Sequence, residues 1–193
     1  VESTSMRELK FAEEIARSCH AAYNTTRTGL GPEVMSIGQM DTEPEIKPYR
    51  NELHYILRPE TVETYFILYR ITKNTKYQEW GWEAYKAIEK HCRHSVGYAG
   101  VHNVNADPTP KDNLMQSFLL AETFKYLYLL FSPVDVLPLD EFTFTTEAHP
   151  LRKFVPSPGL KKVLGRTVGE AGADGSDNTG GDTQKTSHKR PFW

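Results

Sequence analysis

The sequence has few cysteines, no long apolar run and no excess of charge of either sign. Cys19 and Cys92 are its only cysteines, and they permit either one disulfide or two free thiols. No apolar stretch approaches the roughly 20 residues that a membrane-spanning helix needs. A formal net charge of −2 gives no indication of a basic surface for nucleic acid. The first residues lack the features of a signal peptide and no methionine starts the chain, so we expect a longer parent product.

The apolar residues that are present predict a mainly α-helical fold. A chain of 193 residues can bury a sizeable core. Helical spacing predicts helices over about residues 6–23, 59–72, 76–93 and 114–131. The segments 25–56 and 95–113 are predicted to be loops, and loops of that length are uncommon unless they are functional. Residues 132–151 are predicted to be extended or hairpin-like, with a strand at Phe142-Thr143-Phe144-Thr145.

The composition of the chain changes near its end. After Phe154, Gly, Ser, Thr, Asp and Lys dominate, and very few apolar residues remain. Such a segment cannot bury enough surface to offset the entropy lost on ordering. The sequence therefore predicts an ordered domain over residues 1–154 and a disordered, low-complexity tail over residues 155–193.

The stretch Leu57-Arg58-Pro59-Glu60-Thr61-Val62-Glu63 has the form of a helix start. Pro59 suits the first helical position because its φ angle is already helical. Glu60 and Glu63 are three residues apart, so both project from one side of the first turn. The helix dipole and Arg58 favour negative charge there. Glu60, Glu63 and Arg58 could together line a sugar or metal site, although the spacing alone favours an ordinary capped helix.

Glu122 lies in the middle of a predicted helix that is apolar on nearly every side, and such a helix is typically buried. A buried carboxylate takes up a proton or finds a partner, for which Lys125 and Arg58 are structural candidates. Phe118 is four residues earlier and so shares the face of Glu122. An aromatic ring beside a carboxylate is common in sugar-binding pockets.

These segments together resemble glycoside hydrolase family 47, the class I α-1,2-mannosidases that trim N-linked glycans. The Arg-Pro-Glu-Thr-Val-Glu stretch from Arg58 is similar to a motif of that family. Four further blocks agree in order and spacing: Thr28-Gly29-Leu30-Gly31-Pro32-Glu33, Tyr77-Gln78-Glu79-Trp80-Gly81-Trp82-Glu83, Ser117-Phe118-Leu119-Leu120-Ala121-Glu122-Thr123 and Thr146-Glu147-Ala148-His149-Pro150-Leu151. The resemblance therefore covers the chain from about Met6 to Leu151.

The resemblance implies the fold and its layers. We expect the C-terminal portion of an α/α barrel, with a short β-hairpin near the end that brings a threonine to the bottom of the pocket. The helices near Pro59 and Leu114 would be inner, and those near Met6 and Lys76 outer. In the family, the cysteine at the position of Cys19 usually pairs with one further upstream. That segment is missing here, so we expect Cys19 to be unpaired or differently paired.

The resemblance also implies calcium-dependent hydrolysis of α-1,2-linked mannose with inversion, which needs an acid and a water-activating base. Glu60 corresponds to the base, and Arg58 to a residue that orients it or contacts the sugar. Thr146 corresponds to the direct Ca²⁺ ligand, through its carbonyl and hydroxyl oxygens. The other implied sugar contacts are Phe118, Glu122 and Glu33. The implied carboxylates that hold calcium-bound water are Glu63, Glu122 and Glu147.

Some positions depart from the family pattern. Gln116 stands where Glu is common, Leu119 where Phe is usual, and Thr145 where Asn is usual. The general acid of the family and a neighbouring aspartate come from helices earlier than Val1. We therefore expect this chain to be the C-terminal part of a catalytic domain, inactive by itself. Exposed inner helix faces would also make it poorly soluble.

Two other functions fit parts of the sequence. A non-catalytic mannose-binding protein of glycoprotein quality control would use the same carboxylates and Ca²⁺ to recognise glycans. Thr61 is more typical of the processing branch of the family. A helical-repeat scaffold would show self-similarity at a fixed period, which is not found.

The resemblance implies a full-length protein in the lumen of the endoplasmic reticulum or Golgi, acting on high-mannose N-glycans. A membrane anchor would precede the present sequence. In that setting Asn24-Thr25-Thr26, a glycosylation sequon, becomes meaningful.

Overall fold

A computed structural model describes residues 4–38, 45–49 and 51–157 of the chain. The chain divides into two compact units, residues 1–153 and 154–193, and every helix and strand given below lies in the first. Nearly all of the predicted tail, from residue 158 onward, lies outside the described residues. Within the described ranges, no helix combines the length and the apolar character needed to cross a bilayer.

The fold is mainly helical, as predicted. Helix α1 spans Thr4–Asn24, α2 spans Glu60–Thr72 and α3 spans Lys76–His91. A π-helix, Leu119–Thr123, leads directly into α4, Phe124–Phe131. Each boundary of the first three helices lies within two residues of its predicted position, because turn-forming residues flank these helices.

In the described part of the chain, three small antiparallel hairpins accompany the helices. Strand β1 (Met35–Gly38) pairs with β2 (Glu45–Pro48), β3 (Arg93–His94) with β4 (Gly97–Tyr98), and β5 (Phe142–Phe144) with β6 (Pro150–Arg152). The prediction of loops over 25–56 and 95–113 was therefore wrong in part. Strands of two to four residues are too short to show an alternating pattern. The predicted strand near residue 142 is confirmed as β5.

The fourth helix begins later than predicted, at Leu119 rather than Leu114. Asn113 has a left-handed φ of 59°. The backbone of Leu114 then bonds to the preceding loop: its N–H donates to Oδ1 of Asp112 (2.9 Å), and its carbonyl accepts from Gly100 (3.2 Å). These loop contacts replace the helical bonds that apolar spacing alone predicts.

The burial predicted for that helix is also only partly correct. Leu119 and Leu130 are fully buried, but Leu120, Tyr128 and Phe131 are 60 %, 69 % and 45 % exposed. The helix therefore presents an apolar outer side to solvent in the first unit. Apolar side chains on every face predict burial only where every face has a neighbour.

Helix α2 is the centre of the packing, because α1, α3, the π-helix and α4 all contact it. Its Val62 and Phe66 are buried, and the Phe66 ring lies 5.7 Å from that of Tyr126 on α4. Helices α3 and α4 approach closely at Gly81, where an added Cβ would lie 2.3 Å from Cδ2 of Leu130. The absence of a side chain at Gly81 therefore permits this close approach of the two helices.

The connection between α2 and α3 is short and defined by its end groups. Lys73 ends α2 in a left-handed conformation, φ 59°, with its N–H bonded to the carbonyl of Tyr69 (2.8 Å). The side chain of Asn74 then accepts from the N–H of Lys76 (3.1 Å), the first residue of α3. These bonds define where α2 ends and where α3 begins.

Candidate active site

An open cavity of about 500 Å³ lies where the start of α2, the π-helix and the turn between β5 and β6 meet. We call it the acidic cup. Its lining residues are Arg58, Pro59, Glu60, Glu63, Phe118, Glu122, Phe144, Thr145, Thr146 and Glu147. The structure thus brings together seven of the eight site residues predicted from sequence. The eighth, Glu33, does not line the cup.

Glu33 instead forms a hydrogen-bonded ion pair with Arg58, which does line the cup. Its side chain is 8 % exposed and accepts from Nε of Arg58 and from the backbone N–H of Ile56 (3.1 Å). This hydrogen bond raises the pKa of Arg58. Because a carboxylate and a guanidinium form directional bonds, the pair fixes where the arginine head lies. In this arrangement Glu33 orients a wall of the cup.

The backbone before Arg58 is also held in an unusual shape. Leu57 is fully buried and has a left-handed φ of 73°. A non-glycine residue there costs on the order of 1–3 kcal/mol and persists only where its surroundings enforce it. The hydroxyl of Thr123 donates to the carbonyl of Leu57 at 2.7 Å. This bond ties the start of α2 to the π-helix.

The two glutamates of the first turn of α2 have different surroundings. Glu60 is the first residue of the helix, its side chain is 63 % exposed, and Oε1 lies 3.7 Å from Nη1 of Arg58. Glu63 accepts a hydrogen bond from the hydroxyl of Tyr126 at 2.9 Å. Tyr126 is fully buried, and burial raises its pKa. The hydrogen bond from Tyr126 therefore fixes the Glu63 carboxylate, whereas the Glu60 carboxylate is exposed in the open cup.

Glu122 enters the cup from the π-helix, where the N–H of Phe124 bonds to the carbonyl of Leu119. π-Helical segments are rare in proteins, and those that exist are often found at functional sites. The Glu122 residue is only 8 % exposed. Its pKa is raised, first by burial and then by the charges of Glu147, Glu60 and Glu63, against which Lys125 acts in the opposite sense. Four glutamates line the cup, and Arg58 is the one basic residue among its lining residues.

The fourth glutamate, Glu147, lies on the tight turn between β5 and β6. The N–H of Ala148 bonds to the carbonyl of Thr145 (2.9 Å), and the N–H of His149 bonds to the Thr145 hydroxyl (3.1 Å). Nζ of Lys125 donates to the carbonyl of Ala148 at 3.0 Å. The same lysine that follows Glu122 along the chain thus anchors the turn that carries Thr146.

The oxygens of Thr146 fit a hard cation. Within the described part of the chain, no hydrogen bond occupies its hydroxyl or its carbonyl. Oxygen donors and several nearby carboxylates suit Ca²⁺, which takes six to eight oxygen ligands, including water. Across the described ranges, no group of three or more His, Cys, Asp or Glu side chains could hold a metal directly. A calcium ion at Thr146 would therefore depend on water to reach the carboxylates.

Sequence reasoning missed Phe144 and Tyr126, and it considered Lys125 only as a partner of Glu122, not of the Ala148 carbonyl. Phe144 lines the cup, and its ring packs edge-on against Phe66 with the ring centres 5.7 Å apart. The alternation of strand β5 could have indicated that one of its aromatic residues faces inward. Tyr126 and Lys125 act through Glu63 and Ala148, and no local pattern indicates such long-range bonds.

Both cysteines stay outside this site. Over the described residues, Cys19 and Cys92 carry free thiols, and Cys92 is buried. Burial raises the pKa of Cys92 to about 12 and also raises that of Cys19. Neither thiol is thereby activated as a nucleophile, because the thiolate is the reactive form.

Comparison with known sequences gives a consistent result. The sequence profile of Glycosyl hydrolase family 47 matches residues 1–153. Mannosyl-oligosaccharide alpha-1,2-mannosidase IA of Drosophila melanogaster is 51 % identical over 144 residues, which are 74 % of this chain and 21 % of that protein. Mannosyl-oligosaccharide 1,2-alpha-mannosidase IB of Mus musculus is 54 % identical over 145 residues, 74 % of this chain and 22 % of that protein. The chain thus spans about a fifth of the length of the curated relatives it matches.

A solved structure has a similar backbone arrangement over part of its length. The α-1,2-mannosidase from Trichoderma reesei aligns with a TM-score of 0.64 and 31 % sequence identity. The alignment covers 72 % of this chain and 32 % of that one.

Proposed function

The chain belongs to glycosyl hydrolase family 47, and on that premise we propose that it forms one wall of a calcium-dependent, inverting α-1,2-mannosidase. One observation carries the proposal: three separate parts of the chain place four glutamates, Arg58 and Thr146 around a single cavity. We further propose that the helices are the C-terminal portion of an α/α barrel. The pairs α2 with the π-helix and α1 with α3 would form its inner and outer layers.

Glu60 is proposed to be the base. Inverting hydrolysis needs a carboxylate that takes a proton from water while the water attacks the anomeric carbon. Glu60 is the most exposed glutamate of the α2 turn, and its contact with Arg58 orients the carboxylate. Glu33, whose side chain is buried, in turn orients the half-exposed Arg58 through a hydrogen-bonded ion pair. The water would therefore meet a carboxylate whose position is set by two further side chains.

Thr146 is proposed to hold Ca²⁺, with Glu63, Glu122 and Glu147 holding its water ligands. Two features support this role: the carbonyl and hydroxyl oxygens of Thr146 accept no hydrogen bond among the described residues, and four glutamates line the cup. A bound Ca²⁺ would supply positive charge that attracts sugar hydroxyls. The hydrogen bond of Tyr126 to Glu63 and that of Lys125 to Ala148 would keep the surrounding oxygens in place.

The rings of Phe118 and Phe144 are proposed to form the apolar side of the sugar site. Both line the cup beside its carboxylates. A mannose ring has apolar C–H faces and polar hydroxyl edges, so a cavity with aromatic and carboxylate walls matches both. The other half of an inverting pair, a general acid, is proposed to come from a part of the protein outside these 193 residues.

We also propose that further helices of the same barrel cover the groove between α1 and α2. This groove has a volume of about 630 Å³ and is lined mainly by apolar side chains, among them Leu9, Ala12 and Ile67. By the same premise, the full-length protein would act on high-mannose N-glycans in the lumen of the endoplasmic reticulum or Golgi. An N-terminal anchor would then attach it to the membrane.

The proposal is tested by transplanting the cup. In Drosophila mannosidase IA, the aligned 144 residues are replaced by the corresponding residues of this chain. The chimera is expected to release mannose from an α-1,2-linked disaccharide, with the β-anomer formed first. Glu60→Gln should lower kcat by about 10²–10⁴-fold, because general base catalysis is removed. Glu79→Gln, a matched change on the exposed side of α3, should leave kcat unchanged.

Two results would contradict the proposal. Full activity of the Glu60→Gln chimera would remove Glu60 from the mechanism. Turnover by the 193-residue chain alone would show that the acid lies within it. Calcium-dependent binding of the glycan by the chimera without any release would instead favour the glycan-binding alternative.

A further inference from the structure

We propose that Asn24 is a site of N-linked glycosylation. Asn24-Thr25-Thr26 is the only Asn-x-Ser/Thr sequon in the sequence. The inference rests on the proposed function only for its luminal location. The residues that surround Asn24 in its own small cavity of about 110 Å³, such as His20, Trp80 and Glu83, do not line the acidic cup. A glycan here would not occupy the cup.

The backbone presents Asn24 at the surface. It is the last residue of α1, and its side chain is exposed. The chain turns immediately afterwards, with the N–H of Thr25 bonded to the carbonyl of Ala21 (2.9 Å) and that of Thr26 to the carbonyl of Tyr23 (3.3 Å). A bulky substituent at the exposed end of a helix can extend into solvent, so the folded unit has room for it.

The side-chain amide can accept a sugar without losing its existing contact. Nδ2 of Asn24 lies 2.8 Å from Nε2 of His20. The amide nitrogen carries two hydrogens, of which this contact uses one. The His20 ring is itself fixed, because it stacks on Trp80 at 4.0 Å with an interplanar angle of 11°. One N–H can therefore remain bonded while the other hydrogen is replaced.

The group transfer is balanced by a lipid-linked oligosaccharide diphosphate as the donor. The bond between Nδ2 and the anomeric carbon forms as the bond from that carbon to the phosphate oxygen breaks. The lipid diphosphate leaves with the electron pair, and Nδ2 loses one proton to solvent. A luminal glycosyltransferase of the host supplies this reaction, so no catalytic group of the present chain takes part.

Thr26 determines when the transfer can occur. It is 8 % exposed in the folded unit, and its hydroxyl lies 2.9 Å from the carbonyls of both Tyr23 and Leu30. A transferase that reads the sequon hydroxyl cannot reach it in this state. We therefore infer that Asn24 is modified on the nascent chain, before the turn after α1 closes. The chain would then carry the class of glycan that it is proposed to trim.

The test is translation of the chain behind a cleavable signal sequence in the presence of endoplasmic-reticulum microsomes. The protease-protected product should show one increase in mass that endoglycosidase H removes. Asn24→Gln and Thr26→Val should abolish the increase, and Thr26→Ser, which keeps the hydroxyl, should retain it. Transfer to a nascent chain does not require folding, so a variant that misfolds is still informative.

Timing is tested on the same material. Purified folded chain, added to solubilised microsomes with the lipid-linked donor, should not be modified, whereas the urea-unfolded chain should be. Protected wild-type product without a mass increase, or an equal increase in Asn24→Gln, would overturn the site. Equal modification of folded and unfolded chain would overturn the inferred order. None of these outcomes depends on mannosidase activity.

Discussion

The two largest cavities described above lie on the same helix, but one is lined mainly by polar side chains and the other mainly by apolar ones. The acidic cup opens at the first turn of α2, and the apolar groove runs along its flank against α1. Glu63 lines both. The cup is polar, and Tyr126, Thr123 and Lys125, which do not line it, donate hydrogen bonds that fix the positions of its lining segments. The groove is apolar, with Met6 and Ile71 more than half exposed on its rim.

This difference indicates what each cavity is built to meet. Polar groups fixed in advance suit a small, polar ligand, because ordering costs are then low at the moment of binding. Exposed apolar side chains between two helices suit another protein surface, whose burial is favourable by roughly 25 cal/mol per Å². The predictions below test whether the two cavities are independent, beginning with the largest expected effect.

Leu68 lies on the floor of the groove and is 3 % exposed. Leu68→Ala should lower the free energy of unfolding by about 2–5 kcal/mol, since it removes buried contacts and leaves a cavity. Urea denaturation followed by circular dichroism measures this change. If the floor of the groove is part of the core, the loss should be of this size. A loss below about 0.5 kcal/mol would show that the groove is loosely packed.

Lys125 tests whether the cup is held by bonds from outside it. Lys125→Met removes the bond to the Ala148 carbonyl but keeps the length of the side chain. We expect Ca²⁺ affinity, measured by isothermal titration, to fall by about 10-fold. Lys153→Met is the matched control, because Lys153 also donates to a backbone carbonyl, that of Leu139, away from the cup. Equal affinity in both variants would contradict an anchoring role for Lys125.

The raised pKa of Glu122 predicts a pH dependence of stability without calcium. Because its pKa is higher in the folded state than in the unfolded chain, the folded state binds more protons between these two values. The free energy of unfolding should therefore fall as pH rises through that interval. Urea denaturation in a chelator at a series of pH values should show this slope. Glu122→Gln should flatten it, whereas Glu79→Gln should leave it unchanged.

The rim of the groove should show the smallest effect on stability. Ile71 is 57 % exposed. Ile71→Ser should change the free energy of unfolding by no more than about 0.5 kcal/mol, as surface substitutions usually do. It should nevertheless reduce self-association of the chain in analytical ultracentrifugation, because apolar surface is removed. Unchanged self-association would show that the groove is not the surface through which copies of the chain associate.

The helices that frame the cup could be predicted from sequence because their signals are local. Pro59 before an apolar spacing marks the start of α2, and Lys73-Asn74-Thr75 marks its end. The β1–β2 hairpin and the late start of the π-helix could not be predicted in this way. The strands of this hairpin are only four residues long, too short to show an alternating pattern. The late start of the helix depends on a backbone bond between Gly100 and Leu114, which are distant along the chain.

The residues of the cup were predicted through motifs, but the supports of the cup were not. Glu60, Glu122 and Thr146 lie in recognisable blocks, and the structure places them around one cavity. The left-handed Leu57 is held by a hydrogen bond from Thr123, and Tyr126 and Lys125 bond to Glu63 and Ala148. The partners in these bonds are 23 to 66 positions apart along the chain. Spacing along one helix or strand carries no information about such pairs. Their detection requires the folded chain.

Titration of Ca²⁺ into the chain, compared with its Thr146→Val variant, tests most directly whether the acidic cup is a calcium site. Thr146→Val removes the hydroxyl oxygen and preserves the shape of the side chain. We expect one Ca²⁺ to bind per wild-type chain and the affinity of the variant to be lower by about 10-fold or more. No calcium binding by the wild-type chain, or equal affinity in the two proteins, would contradict it.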